Sequence, residues 1–445
     1  MAGPPSATRQ TARPASNASS NCGPTCGRAA CAPRRSSSHA YPAYHHFRLP
    51  AGRRRPEETA ATVRSFFTHA WRLLDEAGLA ARCFRYVAPP VEQWLPDADP
   101  VAAGRTAVQL EQALGENIWC CLPGPACDTR DSVARRVDLI DAIVGETRHV
   151  FTNMRVAGEQ GLHNEAVAAA AETMARLGST PARQQDNFRF AALAWIKPAT
   201  PYFPAAWHDG APGFSVALEL AGPFLQACGR HDNFADRLDA CREELTSRVA
   251  RTLPVLVRLA REQGVRFLGY DLSLAPFPGD ETSAVAVVES LNGSRFGQLD
   301  FMFALYAVND MLQHALPNLP MVGFNGTMLS VLEDTRLAEA TAAGDVGVKD
   351  LLLLSTVCGC GLDMIPVSAD SDPARLATLV RAMSTIAQKW RKPLIARLLP
   401  ATTNLRGVTR FEHDFIVNTA VLRLDTPTFM PTERFGVFAP LRRAA

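Results

Sequence analysis

From Pro56 onward the chain alternates between two hydrophobic periods. "PEETAATVRSFFTHAWRLLDEAG" places apolar residues at helical spacing through Val63, Phe66, Phe67, Trp71, Leu73 and Leu74, with acids in its first turn, and predicts a helix ending near Gly78. "RCFRYVAPP" then reads as a strand, because aromatic and β-branched residues run into a proline turn. The exchange recurs along the chain. "NIWCCLPG", "HVFTNMRVA", "FRFAALAWI", "FSVALEL", "RFLGYDLSLA", "LDMIPV" and "PLIARLLPA" predict further strands. Helices are predicted over "RDSVARRVDLIDAIVGET", "NEAVAAAAETMARLG", "DRLDACREELTSRVARTLPVLVRLAREQG", "DETSAVAVVESLN", "LDFMFALYAVNDMLQHA" and "DPARLATLVRAMSTIAQKW".

Strands separated by helix-length segments predict βαβ units and a mostly parallel sheet buried on both faces. So many strands favour closure, so the expected fold is α/β, a closed and mostly parallel barrel. No repeat of fixed period and no internal linker interrupts residues 56–445, which read as one domain. In such folds chemistry is expected where strands end and helices begin.

Composition changes the picture at the N-terminus. The first acid is Glu57, whereas Arg9, Arg13, Arg28, Arg34, Arg35, Arg48, Arg53, Arg54 and Arg55 precede it among Ser, Ala and Pro. Residues 1–55 therefore read as a disordered basic tail, either a plastid or mitochondrial transit peptide or an extension with no address. Without a transit role, a cytoplasmic location is expected. A net charge of +2 leaves no nucleic-acid footprint outside this tail. The longest uncharged apolar run, ending at Asp363, is too short for a membrane span. The eleven cysteines show no disulfide-framework spacing, and Cys22, Cys26 and Cys31 lack histidine partners for zinc.

Candidate chemistry concentrates in a few loops. In "YDLSLAPFPGDETSA", Asp271 and Ser273 share one face of a buried strand, which demands partners or a cavity. Asp280 and Glu281 follow at a helix start, as a cap or as ligands of a divalent metal. "AWHDG" sets His208 between Trp207 and Asp209, where it could act as a general base or ligand. Asn153 and Arg155 end a strand, and Arg155 either holds an anionic substrate group or pairs with Glu159. In "LLLLSTVCGCGLDMIPV" a helix is expected to end at Gly359 and Gly361. On that helix Cys358 and Cys360, two apart, would diverge, leaving packing or a nucleophilic Cys358 beside Asp363. No GxGxxG, GxxxxGK[ST], HExxH or GxSxG pattern is present, so no standard nucleotide loop is expected.

Several long motifs, "YDLSLAPFPGDETSA", "GFNGTMLSVLEDTRLAEA", "LLLLSTVCGCGLDMIPV", "KPLIARLLPA" and "TRFEHDFIVNTAVLRL", occur in an order that resembles the uncharacterised family called domain of unknown function 711 (DUF711), related to UPF0210. "TNMRVAGEQGLHNEAV" and "PYFPAAWHDG" echo it more weakly. The resemblance implies a barrel similar to that of the glycyl-radical enzymes, pyruvate formate-lyase among them. It carries over Asn153, His208, Asp271, Ser273, Asp280, Asn325, Glu333, Asp334, Cys358 and Asp363 as polar positions of interest. Gly436 in "ERFGVFAP" does not resemble a radical-site motif, so the fold is expected without that chemistry.

Two functions follow. One is an enzyme acting on a small polar or anionic molecule, with Asp271, His208, Asp363 and Cys358 as reactive groups and Asn153, Arg155, Ser273 and Asn325 binding the ligand. The other is a small-ligand sensor or assembly protein on a barrel that has lost catalysis, and either reading is compatible with a homo-oligomer. Neither expects a nucleic-acid or membrane partner.

Overall fold

The computed structural model describes residues 43–48, 56–91, 99–126, 130–207, 209–210, 212–424 and 437–438. Its strands are β1 (Ala43–Arg48), β2 (Ala81–Val87), β3 (Ile118–Ala126), β4 (Val150–Gly158), β5 (Gly161–His163), β6 (Phe190–Ala194), β7 (Gly213–Leu218), β8 (Arg266–Asp271), β9 (Gly361–Ser368), β10 (Leu394–Ala401) and β11 (Val437–Phe438). The helix predicted after Pro56 spans Pro56–Glu76, and those expected near residues 130, 164, 236, 284, 299 and 372 all form. Helix Pro100–Leu114, which the apolar pattern did not disclose, is set by Asp99, whose side chain accepts from Ala102 N at 3.0 Å, and by Pro100 in the first turn.

The main sheet runs β8-β7-β1-β2-β3-β4-β6-β10-β9. Strands β1, β2, β3, β4 and β6 are mutually parallel. The pairs β7–β8 and β10–β9 are each parallel within themselves but join the central block antiparallel, through β1–β7 and β6–β10. The expected mixed, mainly parallel α/β architecture is present, while the strand ladder does not close as a barrel would. Its two edges, β8 and β9, are instead both bonded to the non-strand segment 320–334. Tyr270 N donates to Pro320 O and Val322 N to Tyr270 O at one edge, and Val331 N donates to Asp363 O at the other.

The tail expectation is also revised. Ala43–Arg48, inside the segment read as a tail, forms β1, parallel to β2 and antiparallel to β7 in the middle of the sheet.

Successive residues of a strand enter opposite cores, as period-two geometry requires. Cys120 and Leu122 join the large outer cluster with the helices, while Trp119 and Cys121 face an inner cluster with Phe151, Phe188, Phe203 and Leu399. This inner face is covered by residues 199–207, by Leu274–Phe277, by segment 320–334 and by Phe411–Ile416. Among the described residues no helix is long and apolar enough to cross a membrane.

Candidate functional site

On the inner face lies a cavity of about 60 Å³. Its wall is aromatic: Trp119 from β3, Phe151 from β4, Phe188, Tyr202, Phe203, Phe277, Phe324 and Phe415. Set into it are Arg85 of β2, Glu333, Cys360, Asp363 of β9 and Arg397 of β10. Trp119 and Phe151 are each the second residue of their strand, so the cavity sits toward the N-terminal halves of β3 and β4. The C-terminal strand ends, where the site was expected, form a different cleft.

Arg397 organises the polar corner. Its Nε donates to Asp363 Oδ1 at 2.7 Å, Nη2 to Asp363 Oδ2 and Glu333 Oε2 at 3.0 Å each, and Nη1 to Phe188 O at 3.3 Å. Burial opposes the Arg397 charge, but Asp363 and Glu333 more than offset it and hold its pKa above the ordinary arginine range. A buried ion pair is tolerable only when hydrogen bonds satisfy both partners in this way. Glu333 Oε2 accepts from Ser330 Oγ at 2.6 Å as well. Its Oε1 receives no hydrogen bond among the described residues, and 18 % of the side chain stays open where it lines the cavity. Burial pushes the Glu333 carboxyl up, with Arg397 pulling down and Asp363 pushing up again. Arg85 lies over the rings of Phe203 at 5.2 Å and Trp119 at 5.6 Å.

Asp271 and Ser273 share a face, as the strand period predicts, but they do not line the cavity. Asp271 Oδ1 accepts from Ser273 Oγ at 2.6 Å, Ser273 N at 3.0 Å and Asn325 N at 3.1 Å, and Oδ2 from Phe324 N at 2.9 Å. Burial raises its pKa to about 6 against those bonds. Asn325, at φ 52°, is a turn residue whose Oδ1 accepts from Leu272 N and whose Nδ2 donates to Val322 O. These groups tie β8 to segment 320–334 and hold it over the site. Asp334 does the same one turn on, accepting from Ser283 Oγ, Val285 N, Arg336 N and Leu337 N. It thereby joins the starts of helices Ala284–Asn292 and Thr335–Ala343.

The remaining expected residues separate. Asn153 is fully buried and donates to Pro204 O and Ala206 O at 2.7 and 2.9 Å, so it fixes the loop that carries Phe203. Arg155 stacks over Trp207 at 4.6 Å in the cleft of about 480 Å³ at the ends of β4 and β6, with Glu159, His163, Trp195 and Lys197. His208 lies outside the described residues, as do Cys22, Cys26, Cys31, Cys127 and Gly436. Asp280 and Glu281 stand exposed on a single 3-10 turn and cap nothing, because Ser283 caps the helix that follows. Among the described residues no three His, Cys, Asp or Glu side chains cluster to hold a metal ion, so the expected metal role of this pair finds no third ligand.

The cysteines differ most from expectation. Helix Val348–Leu354 ends early, so residues 355–360 form a turn and Cys358 and Cys360 do not lie on the helix that was expected to carry them. Cys360 borders the cavity and Cys358 does not.

A profile of the family described as "Uncharacterised ACR (DUF711)" matches residues 57–410. The chain belongs to that family. Similar curated proteins are called UPF0210 proteins. One from Pyrobaculum arsenaticum is 28% identical over 344 residues, covering 74% of this chain and 76% of that protein. One from Pyrobaculum islandicum is 29% identical and covers 60% of each chain. One from Methanosarcina acetivorans is 25% identical, covering 60% of this chain and 59% of its own. The chain thus spans about three quarters of the first relative and three fifths of the others. In this DUF711 protein the carried-over positions Glu333 and Asp363 meet at the cavity. Arg85, Tyr202, Cys360 and Arg397 were missed, although a single arginine inside an apolar stretch of strand, as in "CFRYVA" and "LIARLLPA", is a signal of a buried partner.

Proposed function

We propose that this DUF711 protein is an enzyme that performs acid–base chemistry on a small carboxylic acid held in the inner cavity. The observation that carries the reading is Glu333, a cavity-lining carboxyl with one oxygen bonded to Arg397 and Ser330 and the other receiving no hydrogen bond among the described residues. A carboxyl raised by burial exchanges protons nearer neutral pH, which suits a general acid or base. Arg85, backed by aromatic rings, supplies the cation for a substrate carboxylate. Arg397 and Asp363 position Glu333. A water occupies roughly 10–15 Å³ on this measure, so the cavity suits a molecule of about two to four carbons. The edges joined through segment 320–334 support reading the sheet as a barrel clasped from within, in line with the resemblance to glycyl-radical enzymes.

The test is proton exchange in D₂O followed by NMR, over a panel of two- to four-carbon acids including pyruvate, with thermal denaturation of the same mixtures. The expected result is loss of an α-proton signal from at least one acid with wild type, and none with Glu333→Gln. Stabilisation by an acid without exchange would reduce the protein to a binder, and neither effect from any acid would remove the reading.

A further inference from the structure

We propose that the cleft at the carboxyl ends of β4 and β6 is a second binding site, separate from the inner cavity, for a ligand that joins a planar aromatic ring to an anionic group, as a nucleoside monophosphate does. It does not depend on the chemistry read from the inner cavity.

Topology sets the place. β4 and β6 are parallel neighbours, and the cleft opens where residues 155–158 close β4 and residues 195–198 follow β6. Ligands of α/β sheets commonly sit in a crevice outside the carboxyl ends of parallel strands. Size separates the two sites: about 480 Å³ here against about 60 Å³ inside, so this cleft admits a ring-bearing ligand that the inner cavity excludes.

Charge selects an anion. Among the described residues that line the cleft, Arg155 and Lys197 are cations, His163 becomes one when protonated, and Glu159 is the single acid. The outer cleft is the reverse, since Glu116, Asp186, Glu412 and Asp414 outnumber Arg148 and Arg189 there. Lys197 is exposed, and its flexible stem lets the ammonium follow a bound anion.

The rings come from Trp195 and Trp207, both half-buried in the wall. Their indole N–H groups are already used: Trp195 Nε1 donates to Gln388 Oε1 at 2.8 Å and Trp207 Nε1 to Ile196 O at 3.0 Å. What they offer a ligand is ring surface. Arg155 lies over the Trp207 ring at 4.6 Å and Arg391 over the Trp195 ring at 5.8 Å, so a cation stands beside each. The wall is also fixed in advance. Trp195 at φ 56° and Ala199 at φ 73° occupy a left-handed backbone that a bulky side chain enters only where its surroundings hold it. Trp195 N donates to Ala157 O at 3.0 Å and Ala199 N to Trp207 O at 3.1 Å. A ligand ring therefore stacks with little further ordering of the protein. Such a site needs none of the glycine-rich loops that the sequence lacks.

The full-length protein is titrated calorimetrically at low salt with AMP, with indole-3-acetate, and with adenosine and inorganic phosphate as the ring and the anion alone. At least one of the two ring-bearing anions should bind about tenfold or more tighter than either part, and the tighter of the two names phosphate or carboxylate as the anion. Lys197→Glu, at an exposed position that folding tolerates, should weaken that ligand about tenfold and leave adenosine unchanged. Trp195→Leu should weaken it about tenfold while Trp195→Phe, which keeps a ring, retains most of the affinity. Melting temperatures check that each variant is folded, and Lys197→Glu decides alone if Trp195→Leu is not. Three results overturn the proposal: neither ring-bearing anion binds wild type, adenosine binds as tightly as the ring-bearing anion, or a folded Lys197→Glu or Trp195→Leu binds it as wild type does.

Discussion

A Cβ placed on Gly323 would fall on the carboxylate of Asp271. Gly323 also adopts φ 78°, so the glycine is required twice: by the left-handed backbone and by the space its partner fills. Gly323→Ala should therefore destabilise the protein by about 3 kcal/mol, the sum of backbone strain and a displaced hydrogen-bonded carboxylate. A urea midpoint left within error of wild type would show that the turn relaxes freely.

The Asp363–Arg397 pair gives a second prediction. Removing one partner strands the other in a buried setting, at a cost of about 3–5 kcal/mol. Asp363→Leu and Arg397→Leu should each lose on that order, while the double variant should lose clearly less than their sum. Additive losses in denaturant titrations would mean that the two side chains do not depend on each other.

His413 sets an acid limit. Burial lowers its pKa to about 4, from an ordinary 6.5. Between those values the unfolded chain binds more protons than the folded one, so this group's contribution falls as pH drops through that window. Asp271 acts in the opposite sense: with a folded pKa near 6 its contribution is full below about 3.8 and fades as pH rises toward 6. His413→Gln should accordingly gain melting temperature relative to wild type at pH 4.5 and lose that gain above pH 7. A difference independent of pH would exclude His413 as its source.

The aromatic wall predicts how the cavity is reached. Trp119, Phe151, Phe188 and Phe415 line both the inner cavity and a larger outer cleft of about 570 Å³ that also holds Arg148, His149, Arg189 and His413. Phe415→Ala should open a passage between them and raise the labelling of Cys360 by reagents bulkier than iodoacetamide severalfold, leaving Cys120 unchanged. No change with reagent size would place the entrance elsewhere.

Much of the fold was legible because long apolar runs and helical stripes persist in strands buried on both faces, as "FRFAALAWI" and "PLIARLLPA" show. β1 was missed because six residues of strand sit inside a basic, acid-free stretch whose composition speaks louder than its pattern. Helix Pro100–Leu114 announced itself only through the Asp99–Pro100 start. Closure was overcalled because strand count says nothing about direction, and the antiparallel joins at β1–β7 and β6–β10 leave no local trace. At the site, Asp363 was found as a lone charge in an apolar run, and the same logic would have supplied its partner Arg397 and, separately, Arg85 on the cavity wall. Cys360 was dismissed by assuming a helix that ends at Leu354, six residues earlier. Asp271, conspicuous in sequence, supports the segment that carries Glu333.

Segment 320–334 bonds to both sheet edges and also brings Glu333, Phe324 and Met328 to the cavity. Whatever binds there must therefore slow the local opening of that segment. Amide hydrogen exchange at Val322 and Val331, whose N–H groups make the edge contacts, and at Met328, whose N–H bonds Leu274 O just past β8, would read occupancy directly, with no knowledge of the reaction.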